Sequence, residues 1–424
     1  MKKLLPLICC ILLFATTKAQ YVNIPDSNFR SYLIGKYPSC FNGAGQMDTS
    51  CNAILNVTSL SCSGRSIKNI VGISYFKKLQ NFYCNNNLLA NLPHLPDSLK
   101  ILYCYDNQLT SLPSLPNSLQ TLYCYNNQLT SLPNLPNSLQ TLYCYNNQLT
   151  SLPNFPNSLR ILHCYNNQLT SLPNLPTSLQ TLYCYYNQLT GLPNLPNSLR
   201  ILHCGNNQLT SLSNLPNSLQ TLHCNNNQLT NLSSLPNSLQ DLYCFNNQLT
   251  SLPNLPNSLQ NLSCYNNKLT SLPNLPNSLQ YLNCRNNSIF CLPKLSNGLV
   301  VLDFDGKKIN CLPNYLSSCT YYTSDSTRTW NMTNICNATN NKNQCQAFPT
   351  VQSFVYTDLN NNNKLDTNEF AKHNIKITLF NNNYAYTNKN GIAILNADSI
   401  GSYAITAQAP PFYNALPSSY THIL

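Results

Sequence analysis

Residues 111–130 read SLPSLPNSLQTLYCYNNQLT, and the next twenty residues repeat them almost letter for letter. The cysteine marks the register, recurring at 84, 104, 124, 144, 164, 184, 204, 224, 244, 264 and 284, which makes eleven coils of 20 residues. Self-similarity at so short a period signifies stacked repeats. Within a coil, Leu122-Tyr123-Cys124-Tyr125 alternates inward and outward along a short strand. Leu119, Leu122, Cys124, Leu129, Leu132 and Leu135 are the apolar positions, too many for one coil to bury alone. Stacked coils can bury them by pairing each strand in parallel with the next, about 4.8 Å away. The return path carries Pro133 and Pro136. Two prolines three apart cannot sit inside a helix, so extended, polyproline-like chain is expected there. Degenerate coils flank the regular ones, with Cys62 in LSCSGRSI before them and Phe304 in LDFDGKKI after them.

The pattern LxxLxCxxNxLxxLPxLP, running over roughly 62–315, resembles the leucine-rich repeat in its short bacterial form. The resemblance implies a right-handed, curved solenoid with a parallel sheet on its concave face and polyproline-like chain on its convex face. The column Asn87, Asn107, Asn127 and onward to Asn287 matches the family's buried asparagine. Such an amide can bond backbone groups of neighbouring coils. The column ends at Lys307, as expected of a terminal, capping coil.

Working outward, residues 1–19 read as an export signal: Lys2-Lys3, an apolar run from Leu4 to Ala15, then Thr17-Lys18-Ala19. Residues 20–61 are expected to cap the solenoid, 316–349 to form a C-terminal cap and linker, and 350–424 a small β-sandwich. No apolar run after the signal reaches the length of a membrane span. An exported chain meets an oxidising compartment. Of 21 cysteines, twelve form the inward column and read as small core residues. Cys40 and Cys51 are expected to bridge and close the N-terminal cap. Cys291, Cys311, Cys319, Cys336 and Cys345 cannot be paired from sequence, but the odd count leaves one thiol over.

Charged residues are only 8% of the chain, and glutamate occurs once, at Glu369. General acid–base chemistry therefore has few players, and the repeats read as non-enzymatic. Some bacterial leucine-rich-repeat effectors resemble the chain in carrying Cys-x-Asp, found here as Cys104-Tyr105-Asp106. In those ubiquitin ligases the motif lies in a helical domain, whereas here it falls in a repeat strand. The net charge of +11 is scattered over single lysines and arginines. It forms no basic stripe of the kind nucleic acid requires, so no nucleic-acid partner is expected.

The outward strand positions are the candidate ligand-binding site. One column includes Tyr103, Tyr123, Tyr143, His163 and Tyr183, and the next Tyr105, Tyr125, Tyr145, Tyr165 and Tyr185. Tyrosine offers rigid, amphipathic contact area, and exposed aromatic patches mark interaction sites. The same columns also read as an aromatic ladder whose only task is to stabilise the sheet. Rings stacked on one another would hide their faces and leave hydroxyls for a protein. Rings lying flat would present their faces to a glycan. His203 and His223 read as tyrosine substitutes, with no carboxylate expected to face outward beside them.

Beyond 350 the pattern is strand-like, with a loop between the first two strands. Asp358, Asn360, Asn362, Asp366 and Glu369, with the Lys364 carbonyl, have the spacing of a Ca²⁺ loop. Segment 351–408 resembles the B-type immunoglobulin-like domains of bacterial surface proteins, through this loop, Thr387-Asn-Lys-Asn-Gly391 and Gly401-Ser-Tyr403. That resemblance implies a spacer stiffened by Ca²⁺. Its final strand is hard to find, as a truncated chain would have it. Signal, cysteine-register repeats and this domain together resemble exported proteins of the Bacteroidetes. The expectation is a secreted or cell-surface recognition protein. Two alternatives stand beside it: a purely structural surface protein, and a piece of an effector whose enzymatic domain lies elsewhere.

Overall fold

The computed structural model describes residues 20–212, 214–314, 316, 318–323, 335–336 and 343–345, and beyond these only strands between 350 and 423. The export signal, the Ca²⁺ loop 358–369 and most of the linker lie outside the described residues. The chain forms two compact units, Met1–Leu179 and Gln180–Leu424.

The first unit opens with the cap. Strands β1 (Tyr21–Val22) and β2 (Met47–Asp48) pair antiparallel, and helix α1 (Ser27–Lys36) and the short α2 (Asn52–Leu55) pack beside them. Ile24, Phe29, Leu33, Met47 and Ile54 fill the cap's core without solvent exposure. Cys40 and Cys51 are bridged, as expected. Asp26 ties this cap to the first coil. One carboxylate oxygen accepts from the Phe29 amide at the helix N-terminus, the other from the amides of Lys68 and Asn69. Gly72 has φ +106° and lies so close to Ile24 that a Cβ would sit 2.4 Å from its Cδ1, so only glycine fits.

Six parallel strands follow: β3 (Ser59–Ser61), β4 (Asn81–Tyr83), β5 (Ile101–Tyr103), β6 (Thr121–Tyr123), β7 (Thr141–Tyr143) and β8 (Ile161–His163). Each pairs with the next in strict register, Leu122 opposite Leu142 and Tyr123 opposite Tyr143. The second unit continues the same motif through β9 (Thr181–Tyr183), β10 (Ile201–His203), β11 (Thr221–His223), β12 (Asp241–Tyr243), β13 (Asn261–Ser263), β14 (Tyr281–Asn283) and β15 (Val301–Phe304). It ends in β16 (Thr320–Thr323), which sets Tyr321 opposite Leu302 and lies beyond the last coil read from the repeat.

Three columns hold each coil. The strand leucine and cysteine are buried throughout, as at Leu122 and Cys124. The asparagine amide bonds the backbone as the resemblance implies, buried at Asn87, Asn227, Asn247 and Asn287 and half-buried at the coils between, such as Asn127. Asn127 Nδ2 donates to the carbonyls of Cys104, Cys124 and Tyr125, and its Oδ1 accepts from the Leu109 amide at 2.9 Å. A serine column does the same on the return limb. Ser138 Oγ donates to the carbonyls of Asn117 and Leu119, at 2.7 and 2.6 Å. That limb contains neither helix nor strand from 126 to 140. One apolar position needs correcting. Leu135 stays half-exposed and Pro136 is buried in its place. The Leu119 amide bonds the Pro136-equivalent carbonyl one coil earlier, at Pro116, in a tight turn that draws the proline ring inward.

At the end of the second unit, Cys291–Cys345 and Cys311–Cys336 are bridged and Cys319 is the buried thiol left over. Where the asparagine column stops at Lys307, Lys308 Nζ reaches the Asn287 carbonyl instead. Strands β17 (Thr350–Phe354) and β20 (Ile392–Asn396) pair antiparallel. Strands β19 (Tyr384–Tyr386), β18 (Lys376–Leu379), β21 (Ser402–Gln408) and β22 (Tyr420–Ile423) form a second antiparallel sheet in that order. Strand β22 supplies a partner for β21 that the sequence pattern did not reveal.

Candidate functional site

Strict register dictates what the outward face becomes. Identical side chains lie directly above one another, so tyrosines stack. In the first unit Tyr103, Tyr123 and Tyr143 stack at 4.3 Å with ring planes within 5°, and His163 stacks on Tyr143 at 4.1 Å. Beside them Tyr105, Tyr125, Tyr145 and Tyr165 form a second stack at 4.3–4.4 Å. The two stacks incline to one another, Tyr123 to Tyr125 at 47°. Each stacked pair contributes about 0.5–1.5 kcal/mol beyond its buried area.

This geometry settles how the rings present themselves. Their faces are spent on each other, and their edges and hydroxyls face outward. The rings themselves carry no charge at neutral pH where their titration is shifted, as at Tyr125 and His163. Burial first, and the neighbouring Tyr105 phenol second, lift the Tyr125 hydroxyl to about 12, against a smaller lowering by its hydrogen bond with Tyr145. Burial pulls the His163 imidazole down to about 4, so at neutral pH it is neutral.

Along the edge of the first unit's ladder runs a second array, absent from the sequence reading. Asn146 Nδ2 donates to Asn126 Oδ1, and Asn166 Nδ2 to Asn146 Oδ1, both at 2.7 Å; Asn126 Nδ2 donates to Asp106 Oδ1 at 2.6 Å. These residues have φ of 51–53°. Asparagine and aspartate tolerate the left-handed region better than other residues with a Cβ, which explains the first asparagine of each Asn-Asn pair.

The second unit holds Tyr183 and Tyr185 and departs from regularity. Tyr183, His203 and His223 stack at 4.2 and 3.8 Å, and Tyr243 follows tilted by 59°. In the neighbouring column Phe245 stacks on Tyr265 at 4.4 Å, and the Arg285 guanidinium lies 5.5 Å from the Tyr265 ring centre. Between Tyr185 and Phe245 that column carries Gly205 and Asn225, and a hollow of about 220 Å³ opens there. Tyr186, on the same coil as Tyr185, stands where other coils have asparagine or aspartate. It keeps their left-handed backbone, φ +51°, and is 55% exposed. An aromatic residue held there costs about 1–3 kcal/mol.

The expectation that no carboxylate lies beside the histidines is corrected. Asp241 sits two residues before Tyr243 on the same face, and its charge raises the His223 imidazole against the larger, lowering effect of burial. Asp241 also accepts from Asn261 Nδ2 at 2.7 Å. Cys104 of the Cys-x-Asp motif is fully buried. Burial and the adjacent Cys124 hold its thiol well above the usual range, so it cannot supply a nucleophilic thiolate. Among the described residues, the only group with metal-ligand spacing is Cys311, Cys336 and Cys345, all engaged in the disulfides. None of the described helices is long and apolar enough to cross a membrane.

The family profile of leucine-rich repeats, two copies per match, fits residues 97–137, 138–177 and 177–217. Among solved structures, YopM from Yersinia enterocolitica is 32% identical over 62% of this chain and 67% of its own, with a TM-score of 0.49. The functional domain of InlJ from Listeria monocytogenes, described as including a cysteine ladder, is 21% identical with a TM-score of 0.50. It covers 92% of this chain and 97% of its own. The leucine-rich-repeat domain of APL1B is 20% identical over 77% of this chain and all of its own, with a TM-score of 0.55. No curated protein matches the sequence significantly. The matched repeats, the parallel stack of coils and the buried asparagine column agree, and the chain belongs to the leucine-rich-repeat family.

Proposed function

We propose that this is a secreted or cell-surface recognition protein that binds a protein partner through the outward tyrosine ladder. One observation carries this reading. The rings are stacked face to face, so what remains for contact is a rigid row of ring edges and hydroxyls, uncharged at neutral pH. Such a surface orders at low entropy cost and hydrogen-bonds readily. A glycan that packs on ring faces would find them occupied, which favours protein over glycan. The segment after 350 serves as a spacer. Its donor set, three carboxylates with asparagine oxygens and a backbone carbonyl at Ca²⁺-loop spacing, suits a hard cation. The ion would stiffen that spacer.

The same stacking favours a second reading, a ladder that only stabilises the sheet. Two triple variants separate them. Changing Tyr125, Tyr145 and Tyr165 to Phe keeps the stack and removes the hydroxyls; changing them to Ala removes both. The chain from Gln20 onward and both variants are applied to cell-surface protein extracts and to a glycan array. The expected result is protein binding that weakens in the Phe variant and vanishes in the Ala variant, with the fold intact by circular dichroism. Equal binding in all three, or none, supports the structural reading.

A further inference from the structure

The second ladder column is interrupted between Tyr185 and Phe245, where Gly205 and Asn225 stand in place of rings, and we infer that the gap at Gly205 is a socket for an aromatic side chain of the partner, most suitably a tyrosine or tryptophan. The inference rests on the proposed use of the outward face for protein binding and names what one position of it accepts.

The argument starts from spacing. Parallel strands lie about 4.8 Å apart, so Tyr185 and Asn225, two coils apart, stand roughly 10 Å apart at their roots. Rings elsewhere in this column succeed each other at 4.4 Å, as Phe245 and Tyr265 do. One ring of ordinary thickness therefore fits between Tyr185 and Asn225 as the missing rung. Gly205 places no side chain there. The Asn225 amide leans over it, 2.8 Å from where a Cβ would be, yet a hollow of about 220 Å³ remains. A cavity of about 150 Å³ already admits a benzene ring.

The surroundings select the edge of the guest. The inner wall is the stacked pair His203 and His223, and Asn206 and Asn225 offer amides at the rim. Imidazole rings and amides present hydrogen-bond donors and acceptors. A phenol or indole, apolar on its faces and polar at its edge, meets all of them, whereas an aliphatic side chain leaves them unmatched. Tyr186 adds a second sign. Its ring stands nearly perpendicular to Tyr185, at 68° and 5.7 Å, and its amide bonds the Gly205 carbonyl. An aromatic residue is thus kept in a left-handed conformation at the rim of the gap. Strain of this kind gathers at binding sites.

The test uses N-acetyl-tyrosinamide and N-acetyl-tryptophanamide as probes, N-acetyl-leucinamide as control, and the imidazole NMR signals of the six histidines as reporters. The expected result is saturable ring-current shifts at His203 and His223 but not at His163, in the millimolar range that suits ligands of this size. The leucine analogue should shift neither. Gly205→Tyr restores the rung, since the atoms it meets are the movable end of Asn225, and should weaken the probes at least about tenfold. Should Gly205→Tyr not fold, Tyr185→Ala removes one wall and should show the same loss. No shift in the unaltered protein, equal shifts at His163, equal shifts with the leucine analogue, or persistence of the shifts in the folded variant would each overturn the inference. The ladder variants at Tyr125, Tyr145 and Tyr165 lie in the other unit. Retained probe binding with unchanged partner binding in those variants sinks the ladder reading alone. Lost partner binding there without probe binding here sinks the socket alone.

Discussion

Replacing Asn227 by alanine should cost far more than an alanine on any neighbouring surface asparagine. Asn227 Oδ1 accepts from the Leu209 amide at 2.9 Å. Its Nδ2 donates to the carbonyls of Cys204, Cys224 and Asn225 at 3.1–3.2 Å. The side chain is 9% exposed, so water cannot easily stand in for it. The two Nδ2 hydrogens and the Oδ1 acceptor amount to three net hydrogen bonds at about 1 kcal/mol each, and an orphaned amide adds about 1–3 kcal/mol, which gives roughly 4–6 kcal/mol. Asn217→Ala, on an exposed turn, should stay within about 0.5 kcal/mol. Coils couple chiefly to their neighbours, so the damage should be local. Denaturant titration gives the total, and hydrogen exchange should show amides such as those of Asn206 and Gln208 opening about a hundredfold faster. Asn227→Asp adds a check of sign. Its carboxylate could still accept from Leu209 but would face three carbonyl oxygens, which raises its pKa in the folded state. Between the unfolded and folded values the native state then binds more protons, so the deficit against the unaltered protein should grow as pH rises. A cost for Asn227→Ala no larger than that for Asn217→Ala, or a deficit for Asn227→Asp that shrinks with rising pH, would refute the role given to this column.

Tyr186→Asn should raise stability by about 1–3 kcal/mol in thermal melts by removing left-handed strain, and the new amide can accept from Asn206. The His163 imidazole, pulled down to about 4 by burial, takes up its proton more readily when unfolded. Stability should therefore be full above about pH 6.5 and fall between there and pH 4, a slope that His163→Tyr should lessen in melts across that range. Iodoacetamide should label none of the twelve column cysteines or Cys319 in the native protein, since burial holds these thiols up, Cys124 to about 12; denaturant should expose them all in mass spectra. Calcium should bind the segment after 350 with a Kd of about 10⁻⁴–10⁻³ M by calorimetry, and Asp358→Asn should abolish it.

The column positions were legible because repetition leaves little choice. Leucine and cysteine on one side of a three-residue strand must face inward, and the asparagine four residues past the strand must answer for backbone at the turn. The cap bridge between Cys40 and Cys51 was legible for a related reason, as Cys62, equally near Cys51 in sequence, is already placed in the inward column by the repeat. Other features depended on distances that no alphabet carries. Leu135 and Pro136 are both apolar, and only the turn closing at Pro136 decides which is buried. Cys291 and Cys311 each find a partner across a loop, of 54 and 25 residues, whose path the repeat does not specify. The stacking of tyrosines followed from strict register, but whether rings lie flat or on edge is a matter of side-chain rotamer. The charge of Asp241 is felt at His223 because same-face neighbours include the diagonal coil, which a column-by-column reading overlooks.

Where the repeat is obeyed, every position has a structural duty: the leucines and cysteines fill the core, the asparagines and serines satisfy backbone, and the tyrosines stack. Departures from it therefore carry the information about what this particular molecule does. On the outward face of the second unit they include Tyr186, His203, Gly205, His223, Asn225, Asp241 and Phe245 over four consecutive coils, and Asn261, Ser263, Tyr281, Asn283 and Arg285 over the next two. Several of them work against the fold. Gly205 forgoes a stacking contact with Tyr185, Tyr186 endures a backbone suited to asparagine, and Asp241 places a carboxylate near the half-buried His223 imidazole. A ladder kept for stability alone would gain by restoring tyrosine, asparagine and threonine at these sites. The coils of residues 101–160 show that the sequence can do so with almost no variation. The cost at Gly205 falls beside one hollow, and the aromatic guest inferred for that hollow is what would offset it.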